Sequence, residues 1–319
     1  MKINKVYKGD FLDNTLADGS VQLIIADPPY FEVKGEFDFS FESFESYLQH
    51  VDKWAQEFKR ILADNGTLLY WGNSKKIAYS QIILDKYFNL LNSCIWQKTD
   101  SMQYQYYSVE LSRCLNTHNE RLLIYDKNID TTGLEKIKND INNFCTLRDY
   151  FKKLQDYIRC SKAEICRQVG TVADHCFRWG SFQWDLPTKD TYQILIDLYK
   201  INKYKYFKTY EELRQEYEEL RRPFNNVLKL EEVLKYSQQS NVTKKYNHPT
   251  KKPERLTRDL IECCSKVNDL VFVPFAGSGT ECAMSRRSKR NFIGFDICQD
   301  YVDMSNKRVQ YIEKTPTLF

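Results

Sequence analysis

The chain has 319 residues, of which 42% are hydrophobic and 14% aromatic, so it can bury a large core, which excludes a disordered protein. It has no run of 18 apolar residues, and its first residues lack the apolar segment of a signal peptide, which predicts a cytoplasmic protein without a membrane partner. The formal net charge of +4 allows a polyanionic partner but does not identify one.

The first third of the chain alternates strand-like and helix-like segments. Residues 3–7 and 21–26 have the short, β-branched pattern of strands, and apolar residues recur at helical spacing over 41–63. A strand-like segment over 67–71 follows at once, and a strand, a helix and a strand in succession predict a parallel pair. The pattern then repeats, which indicates an open α/β sheet. The further elements are a helix over 77–87 and strands over 91–96 and 121–125.

The strand over 21–26 ends directly in the tetrapeptide Asp27-Pro28-Pro29-Tyr30. Two prolines continue neither a sheet nor a helix, so the acid and the ring are expected at the carboxyl end of the strand, where parallel sheets bind ligands. An acid, two backbone carbonyls and an aromatic face suit a planar ring that bears an amine, such as a nucleobase. The alternative is a strand ended by proline, with a solvated acid and a half-buried tyrosine.

Between about 128 and 245 apolar strands disappear, and several helices are predicted instead. This region is interpreted as an inserted helical module. Its helices are expected over 147–158, 162–169, 191–201 and 209–220. Ser161 is a predicted N-cap and Gly170 a helix stop, which together give half of a helix-turn-helix. The following segment, 174–184, combines polar and aromatic side chains that could contact bases, although a Trp-rich core with polar decoration fits the same pattern.

The α/β pattern resumes after the insertion with a helix over 254–266 and a strand over 270–273. A glycine-rich segment, Phe275-Ala276-Gly277-Ser278-Gly279-Thr280, follows the strand, and the next strand, 291–295, delivers Asp296 at the spacing of an acid that binds ribose hydroxyls. Glycine allows the backbone to pass close to a ligand. The third glycine that clamps phosphates is missing, which favours a nucleoside without phosphates over NAD or ATP.

The sequence predicts no metal site. Its ten cysteines include no C-x-x-C pair, and the spacing of Cys160, Cys166, His175 and Cys176 does not match a zinc site. Reduced thiols in a cytosolic protein are therefore expected.

Three motifs, in this order, resemble those of the beta-group amino-methyltransferases of DNA. They are Asp27-Pro28-Pro29-Tyr30, His248-Pro249-Thr250-x-Lys252-Pro253 and Phe275-x-Gly277-x-Gly279. The resemblance covers roughly residues 1–127 and 246–319. It implies a Rossmann-like α/β fold with a seven-stranded, mostly parallel sheet in permuted motif order. Residues 1–127 would form the target-base half, 246–319 the cofactor half, and 128–245 an inserted helical target-recognition domain.

The resemblance also implies S-adenosylmethionine as the cofactor and assigns roles to residues. The catalytic set is Asp27, Pro28, Pro29 and Tyr30. The cofactor-binding set is Asp10, Asp27, His248, Thr250, Lys252, Pro253, Phe275, Ala276, Gly277, Ser278, Gly279, Thr280 and Asp296, of which His248, Thr250 and Lys252 would lie on the carboxylate side of the cofactor. The DNA-binding set, assigned by position and chemistry, is Arg178, Trp179, Ser181, Gln183, Lys244 and Lys245.

Three positions depart from the family pattern. An acid usually precedes the Pro-Phe of the glycine-rich segment, and here the residue is Val273, which puts one polar cofactor contact in question. Lys251 stands where Gln or Glu is common, and Phe31 stands where Asn often follows the tyrosine. The last two leave the predicted catalysis intact.

The activity implied is transfer of a methyl group to the N6 amine of a flipped adenine in duplex DNA, because Asp at the first position of the tetrapeptide is typical of adenine methylation in this family and Ser of cytosine methylation. The alternatives are an N4-cytosine methyltransferase, an RNA or protein-amide methyltransferase, and an inactive DNA-binding regulator. Double-stranded DNA is the expected partner. A cognate restriction endonuclease and a homodimer are left open.

Overall fold

The computed structural model describes residues 1–33, 40–99, 119–127, 144–181, 183–221, 223–237 and 251–315. The chain divides into two compact units. The larger is formed by Met1–Ile129 and Pro223–Phe319, and the smaller by Asp130–Arg222. Across the described ranges, no helix combines the length and the apolar character needed to cross a membrane.

The larger unit is built on one sheet, which has eight strands within the described residues. In chain order these are β1 (Lys5–Lys8), β2 (Val21–Ala26), β3 (Leu62–Asn73), β4 (Asn89–Lys98), β5 (Asn119–Asp126), β6 (Val233–Tyr236), β7 (Leu270–Val273) and β8 (Asn291–Asp296). Their order across the sheet is β1-β8-β7-β2-β3-β5-β4-β6. Strand β5 is antiparallel to both neighbours, whereas the other pairings are parallel, so the sheet is mixed.

Most helices of both units lie close to the predicted ranges, and a further helix over 299–314 was not predicted. In chain order they are α1 (Phe44–Ile61), α2 (Ile77–Leu84), α3 (Cys145–Ile158), α4 (Lys162–Val169), α5 (Lys189–Tyr199), α6 (Tyr210–Leu220), α7 (Glu254–Cys264), α8 (Thr280–Arg287) and α9 (Gln299–Lys314). The predicted parallel pair β2 and β3, joined by α1, is confirmed. Helix α1 ends at Ile61, before the predicted end at residue 63, because Leu62 already pairs with Val21 in the sheet.

The expectation of seven strands was wrong for this chain, because β6 adds an eighth strand at the edge of the sheet beside β4. Its residues were predicted to belong to the inserted helical module over 128–245. In the structure the smaller unit ends at Arg222, and β6 belongs to the larger one. The strand has only four residues, and only Leu234 among them is buried. A segment of four residues with one buried side chain is too short to show the alternation of apolar and polar residues that predicts a strand.

Four parallel strands bring their carboxyl ends to one edge of the sheet. Strands β1, β8, β7 and β2 are consecutive neighbours and run in the same direction. Asp27 follows β2, Pro274 follows β7, Asp296 ends β8, and Gly9 follows β1. The tetrapeptide and the glycine-rich segment therefore meet at this edge although more than half of the chain separates them.

The smaller unit has its own core, to which each of its helices contributes. The fully buried members include Leu147, Phe151, Ile165, Leu195 and Leu213. Helix α4 begins with the predicted capping box, in which the Ser161 hydroxyl accepts from the Glu164 amide and the Glu164 carboxylate accepts from the Ser161 amide. A second helix of a helix-turn-helix does not follow. After Gly170 a short 3-10 helix, Thr171–Asp174, and a series of turns lead to α5.

Candidate active site

A cavity of about 590 Å³ opens at the shared carboxyl edge of β1, β8, β7 and β2. This volume is within the range of small-molecule and cofactor pockets. Its lining comprises Gly9, Asp10, Phe11, Asp27, Pro28, Pro29, Tyr30, Ser40, Phe41, Glu42, Ser46, His50, Trp54, Lys251, Lys252, Pro274, Phe275, Ala276, Gly277, Ser278, Glu281, Asp296, Ile297, Cys298 and Tyr301.

Asp27 is held by two side-chain contacts at the floor of the cavity. Its Oδ2 accepts from Lys252 Nζ at 2.5 Å, and its Oδ1 accepts from the Tyr30 hydroxyl at 2.5 Å. Burial, followed by the nearby carboxylates of Asp27 and Glu120, raises the pKa of Tyr30 well above its usual value, so the hydroxyl stays neutral and donates. Both oxygens of Asp27 are therefore fixed in direction, and each keeps a lone pair for a further donor.

Lys252 is the buried member of a partly buried network of alternating charges. Its Nζ also lies 3.0 Å from Glu120 Oε2, and Lys98 Nζ lies 2.7 Å from Glu120 Oε1. The Lys252 side chain is only 1% exposed. Burial by itself lowers the pKa of Lys252, but the carboxylates of Asp27 and Glu120 outweigh it and raise the pKa above the usual value. Likewise, burial raises the pKa of Glu120, and Lys252 and Lys98 bring it below its usual value. The network contains two lysines and two carboxylic acids, so its formal charges sum to zero.

The glycine-rich segment is held in place by hydrogen bonds to side chains from other parts of the chain. Gly277 N donates to Asp296 Oδ2 at 2.8 Å, and Ser305 Oγ donates to the Gly277 carbonyl at 2.9 Å. Gly279 has a φ of +69°, and a Cβ there would lie 2.8 Å from Ser305 Cα, so a side chain does not fit. The buried Arg308 donates to the Ser278 carbonyl at 2.9 Å. The turn is therefore fixed by the protein itself.

Aromatic side chains form one wall of the cavity. Phe275 packs edge-on against Trp54, with ring centroids 5.0 Å apart, and against Phe11 at 5.3 Å. All three residues line the cavity. The wall offers an apolar face to a flat ring.

Most of the predicted cofactor and catalytic residues come together here, and a few do not. Asp10, the whole tetrapeptide, Lys252, Asp296 and the segment 275–278 line the cavity, whereas Pro253, Gly279 and Thr280 do not. Thr280 is buried and accepts from Arg308, so it supports the turn. The structure places Lys252 against Asp27 and Glu120 instead of leaving it free for a cofactor carboxylate. His248 and Thr250 lie outside the described residues.

The predicted DNA-binding residues that the structure describes lie in the smaller unit. Arg178 is paired with Asp174 and with the Gln183 side chain. Trp179 is 36% exposed, and its Nε1 donates to Gln155. Ser181 accepts through its hydroxyl from the Gln183 amide at 3.2 Å. Lys244 and Lys245 lie outside the described residues.

Two acids at this site escaped prediction from the sequence. Glu120 reaches Lys252 from the start of β5, and only the antiparallel pairing of β4 with β5 shows that it is near Lys98. Glu281 stands in the first turn of α8, where its neighbours Thr280, Cys282 and Ala283 are buried. A charged residue among the small and apolar residues at the start of this helix was a signal that could have been recognised. Among the described residues, no group of three or more His, Cys, Asp or Glu side chains could hold a metal ion.

The model of the DNA methylase family of N6 and N4 methyltransferases matches residues 21–307 of this chain. Type II methyltransferase M.HinfI of Haemophilus influenzae is 26% identical over 335 residues, which cover 98% of this chain and 70% of the relative. The PvuII DNA methyltransferase, described as cytosine-N4-specific, superposes with a TM-score of 0.56 at 14% identity, covering 95% of this chain and 85% of that one. The M1.HpyAVI–SAM complex gives 0.50 at 17%, covering 96% and 98%. These two likenesses show a shared fold.

The matched residues include Asp27, which follows β2, the glycine-rich turn, and Asp296 at the end of β8. The mixed sheet matches known DNA methyltransferase structures, and the cavity collects the motif residues at its carboxyl edge. The chain belongs to the N6/N4 DNA methylase family and is an S-adenosylmethionine-dependent DNA methyltransferase.

Proposed function

We propose that this methyltransferase modifies the N6 amine of an adenine that is flipped out of duplex DNA. The observation that carries the proposal is Asp27, which lines the cavity and whose partly buried carboxylate is oriented by Lys252 and Tyr30. An acid at this position of the tetrapeptide is the feature that, by family resemblance, goes with adenine. The amine of a stacked base is out of reach, so the base must leave the stack, at a cost of about a few kcal/mol.

The protein residues promote the reaction by localising the lone pair on the amine nitrogen of the target base. The lone pair of an exocyclic amine is delocalised into the ring, which makes the nitrogen a poor nucleophile. If Asp27 and the Pro28 carbonyl accept the two amine hydrogens, the nitrogen becomes more tetrahedral, and its lone pair points at the incoming methyl group. As the N–C bond forms, Asp27 is placed to take the proton that the nitrogen loses. Tyr30 contributes its ring face for stacking on the extruded base.

The residues of the cavity fit S-adenosylmethionine, which supplies an electrophilic methyl group on a sulfonium. Asp296 lies beside the glycine-rich turn, where its remaining lone pairs suit ribose hydroxyls. The aromatic wall of Phe275 and Trp54 suits a purine ring, and aromatic faces favour a nearby cation. Gly277 has a φ of +47° and presents backbone without a side chain to the ligand.

The direct test is to express the enzyme in a host without DNA methylation and to digest its DNA for mass spectrometry. We expect N6-methyladenine, and sequencing with modification-sensitive chemistry should place it in one motif. A digest with only N4-methylcytosine would make the chain a cytosine-amine enzyme, which is the second candidate because the fold is shared with the cytosine-N4-specific PvuII enzyme. A heat-inactivated culture extract treated with cofactor serves as the blank.

We further propose that the smaller unit reads the DNA sequence, through donors such as Arg178 and Gln183. A side chain bonded to a base edge contributes about 1–3 kcal/mol of discrimination, whereas a phosphate contact weakens binding evenly across sequences. Arg178→Ala and Gln183→Ala should therefore relax the methylated motif or lower its methylation about tenfold or more, with cofactor affinity unchanged. Lys244→Ala and Lys245→Ala should mainly weaken binding and its salt dependence.

The matched control is Arg214→Ala, on the exposed surface of α6, where Arg214 pairs with Glu218. Its motif should be that of the parent. The motif is measured by sequencing after expression of each variant. If Arg178→Ala and Gln183→Ala both methylate the parental motif at the parental level, readout must lie elsewhere, and the segment 98–119 is the next candidate.

A further inference from the structure

Glu281 is a buried acid in the wall of the cavity. It stands in the first turn of α8, directly after the glycine-rich turn, and only 6% of its surface is exposed. Among the described residues its carboxylate forms no salt bridge and accepts from no other side chain. An ionised carboxyl in such a place is costly unless a partner neutralises it.

The charged groups around Glu281 are already engaged with other partners. Lys252 is bound to Asp27 and Glu120, and the guanidinium of Arg308 bonds Glu254 at 2.6 Å. Lys251 lines the same cavity, half-buried. Burial, followed by the charge of Asp27, raises the pKa of Glu281 to about 7, against the opposing effect of Lys252 and Arg308. The carboxyl is therefore ready to ionise when a cation arrives in the cavity.

Three other acids that line the cavity have fixed structural bonds. Asp296 accepts from two backbone amides, those of Gly277 and Cys298, at 2.8 Å each. Asp27 is bound through both oxygens, and Asp10 accepts from the Leu12 amide at 3.0 Å. Position 273, where the resemblance leads us to expect an acid, is a valine that is 1% exposed in the core. Glu281 is therefore the most buried of these four acids, and no side chain of another described residue is bonded to its carboxylate.

The cofactor carries two cationic groups, and they differ in what they can offer an acid. The sulfonium has no hydrogen to donate and must face the target amine at Asp27. The α-ammonium of the methionine part has three donors, and a carboxylate is the acceptor that binds it best. We propose that the Glu281 carboxylate binds the α-ammonium of S-adenosylmethionine. The inference rests on the cofactor position proposed above, and it assigns Glu281 as the residue that recognises the amino-acid end.

The test is titration calorimetry of the DNA-free enzyme with S-adenosylmethionine. Glu281→Gln keeps the size of the side chain and removes its charge, and it should raise the Kd by about tenfold or more. The exposed Glu45 of α1 lies outside the cavity, so Glu45→Gln should bind as the parent does. A Glu281→Gln Kd equal to that of the parent would overturn the inference.

A cofactor analogue that lacks the α-amino group separates direct contact from a structural role. The parent should lose about tenfold in affinity for this analogue, and Glu281→Gln should then bind it no more weakly than the parent does. If Glu281→Gln instead loses the same factor of affinity, relative to the parent, for the cofactor and for the analogue, Glu281 acts through the fold. That result would contradict the proposal. If the parent binds neither, the proposed cofactor position itself fails, and the inference fails with it.

Proton release gives an independent readout. Near pH 7 the free enzyme holds a proton on Glu281 in part of its molecules, and a bound ammonium lowers the pKa of that carboxyl and expels the proton. The apparent affinity of the parent should therefore rise with pH between about 6 and 8, and its binding enthalpy should depend on the ionisation enthalpy of the buffer. Both effects should be smaller in Glu281→Gln. Equal proton release by the variant and the parent would exclude Glu281 as its source.

Discussion

Asp27→Ala should lower the methylation rate by about a thousandfold or more while the enzyme keeps its fold and its cofactor affinity. The size follows from the loss of an acceptor that both orients the amine and takes its proton. The fold should survive because Lys252 keeps Glu120 as its partner at 3.0 Å when Asp27 is gone. Single-turnover transfer of a labelled methyl group to DNA, with cofactor binding measured in parallel, checks this result.

Asp296→Ala is the matched comparison at the same edge of the sheet. The carboxylate of Asp296 accepts from the amides of Gly277 and Cys298, so its removal loosens the glycine-rich turn as well as the expected ribose contact. This variant should lose cofactor affinity first, and saturating cofactor should restore much of its rate. Methyl transfer by Asp27→Ala at the parental rate would rule out Asp27 as the residue that activates the amine.

Lys252→Met should cost about 3 kcal/mol or more in the free energy of unfolding and most of the activity. Methionine matches the length of the side chain but leaves two partly buried carboxylates, of which Glu120 keeps Lys98 as its cation and Asp27 loses the cation that the described residues give it. Removing one partner from a buried ion pair leaves an uncompensated charge, and this accounts for the size of the effect. Urea unfolding followed by circular dichroism measures the loss, and Lys53→Met, on the exposed face of α1, should stay within about 0.5 kcal/mol of the parent.

The pH dependence of the free energy of unfolding tests whether Lys252 stabilises the ionised form of the neighbouring carboxylates. In the parent the pKa of Glu120 is lowered by Lys252 and Lys98 despite its burial, so its stabilising contribution is present above the unfolded pKa and is lost as the pH falls through the folded value. Without Lys252, one of the two lysines that lower the pKa of Glu120 is gone, and burial should raise this pKa above its usual value. The folded variant then binds more protons than the unfolded one, and its stability should fall as the pH rises from about 5 to 7. Parallel pH profiles for variant and parent would contradict the charge assignment.

How much of this site the sequence could predict depends on how local each feature is. Asp27, the glycine-rich turn and Asp296 follow strands directly, so a strand prediction places them at one edge. Lys252 and Glu120 could not be paired in this way. Their proximity depends on β5 running against its neighbours, which is decided by packing across the sheet and not by the residues of either segment alone.

The same distinction explains the differences in the fold. The start of α4 was predicted because the capping box of Ser161 and Glu164 is complete within four residues. The sequence could not show that a second helix is absent after Gly170, because the polar and aromatic residues that follow suit a helix or a turn equally well. Strand β6 was missed for a related reason, since it is stabilised by pairing with β4 and by one buried side chain, Leu234.

The pairing of Asp27 with Lys252 has a consequence for the order in which the enzyme is made. The two residues are 225 positions apart, and β1 pairs with β8 across an even longer stretch of chain. On the ribosome β2 can pair early with β3, whereas β1 and the other edge of β2 must wait for most of the polypeptide before their neighbours β8 and β7 exist. Closing so long a loop is slow, and the unpaired edge of β2 stays open to aggregation meanwhile. A nascent chain should therefore acquire cofactor binding only once β8 has left the exit tunnel, and chaperones that shield strand edges should raise the yield of active enzyme.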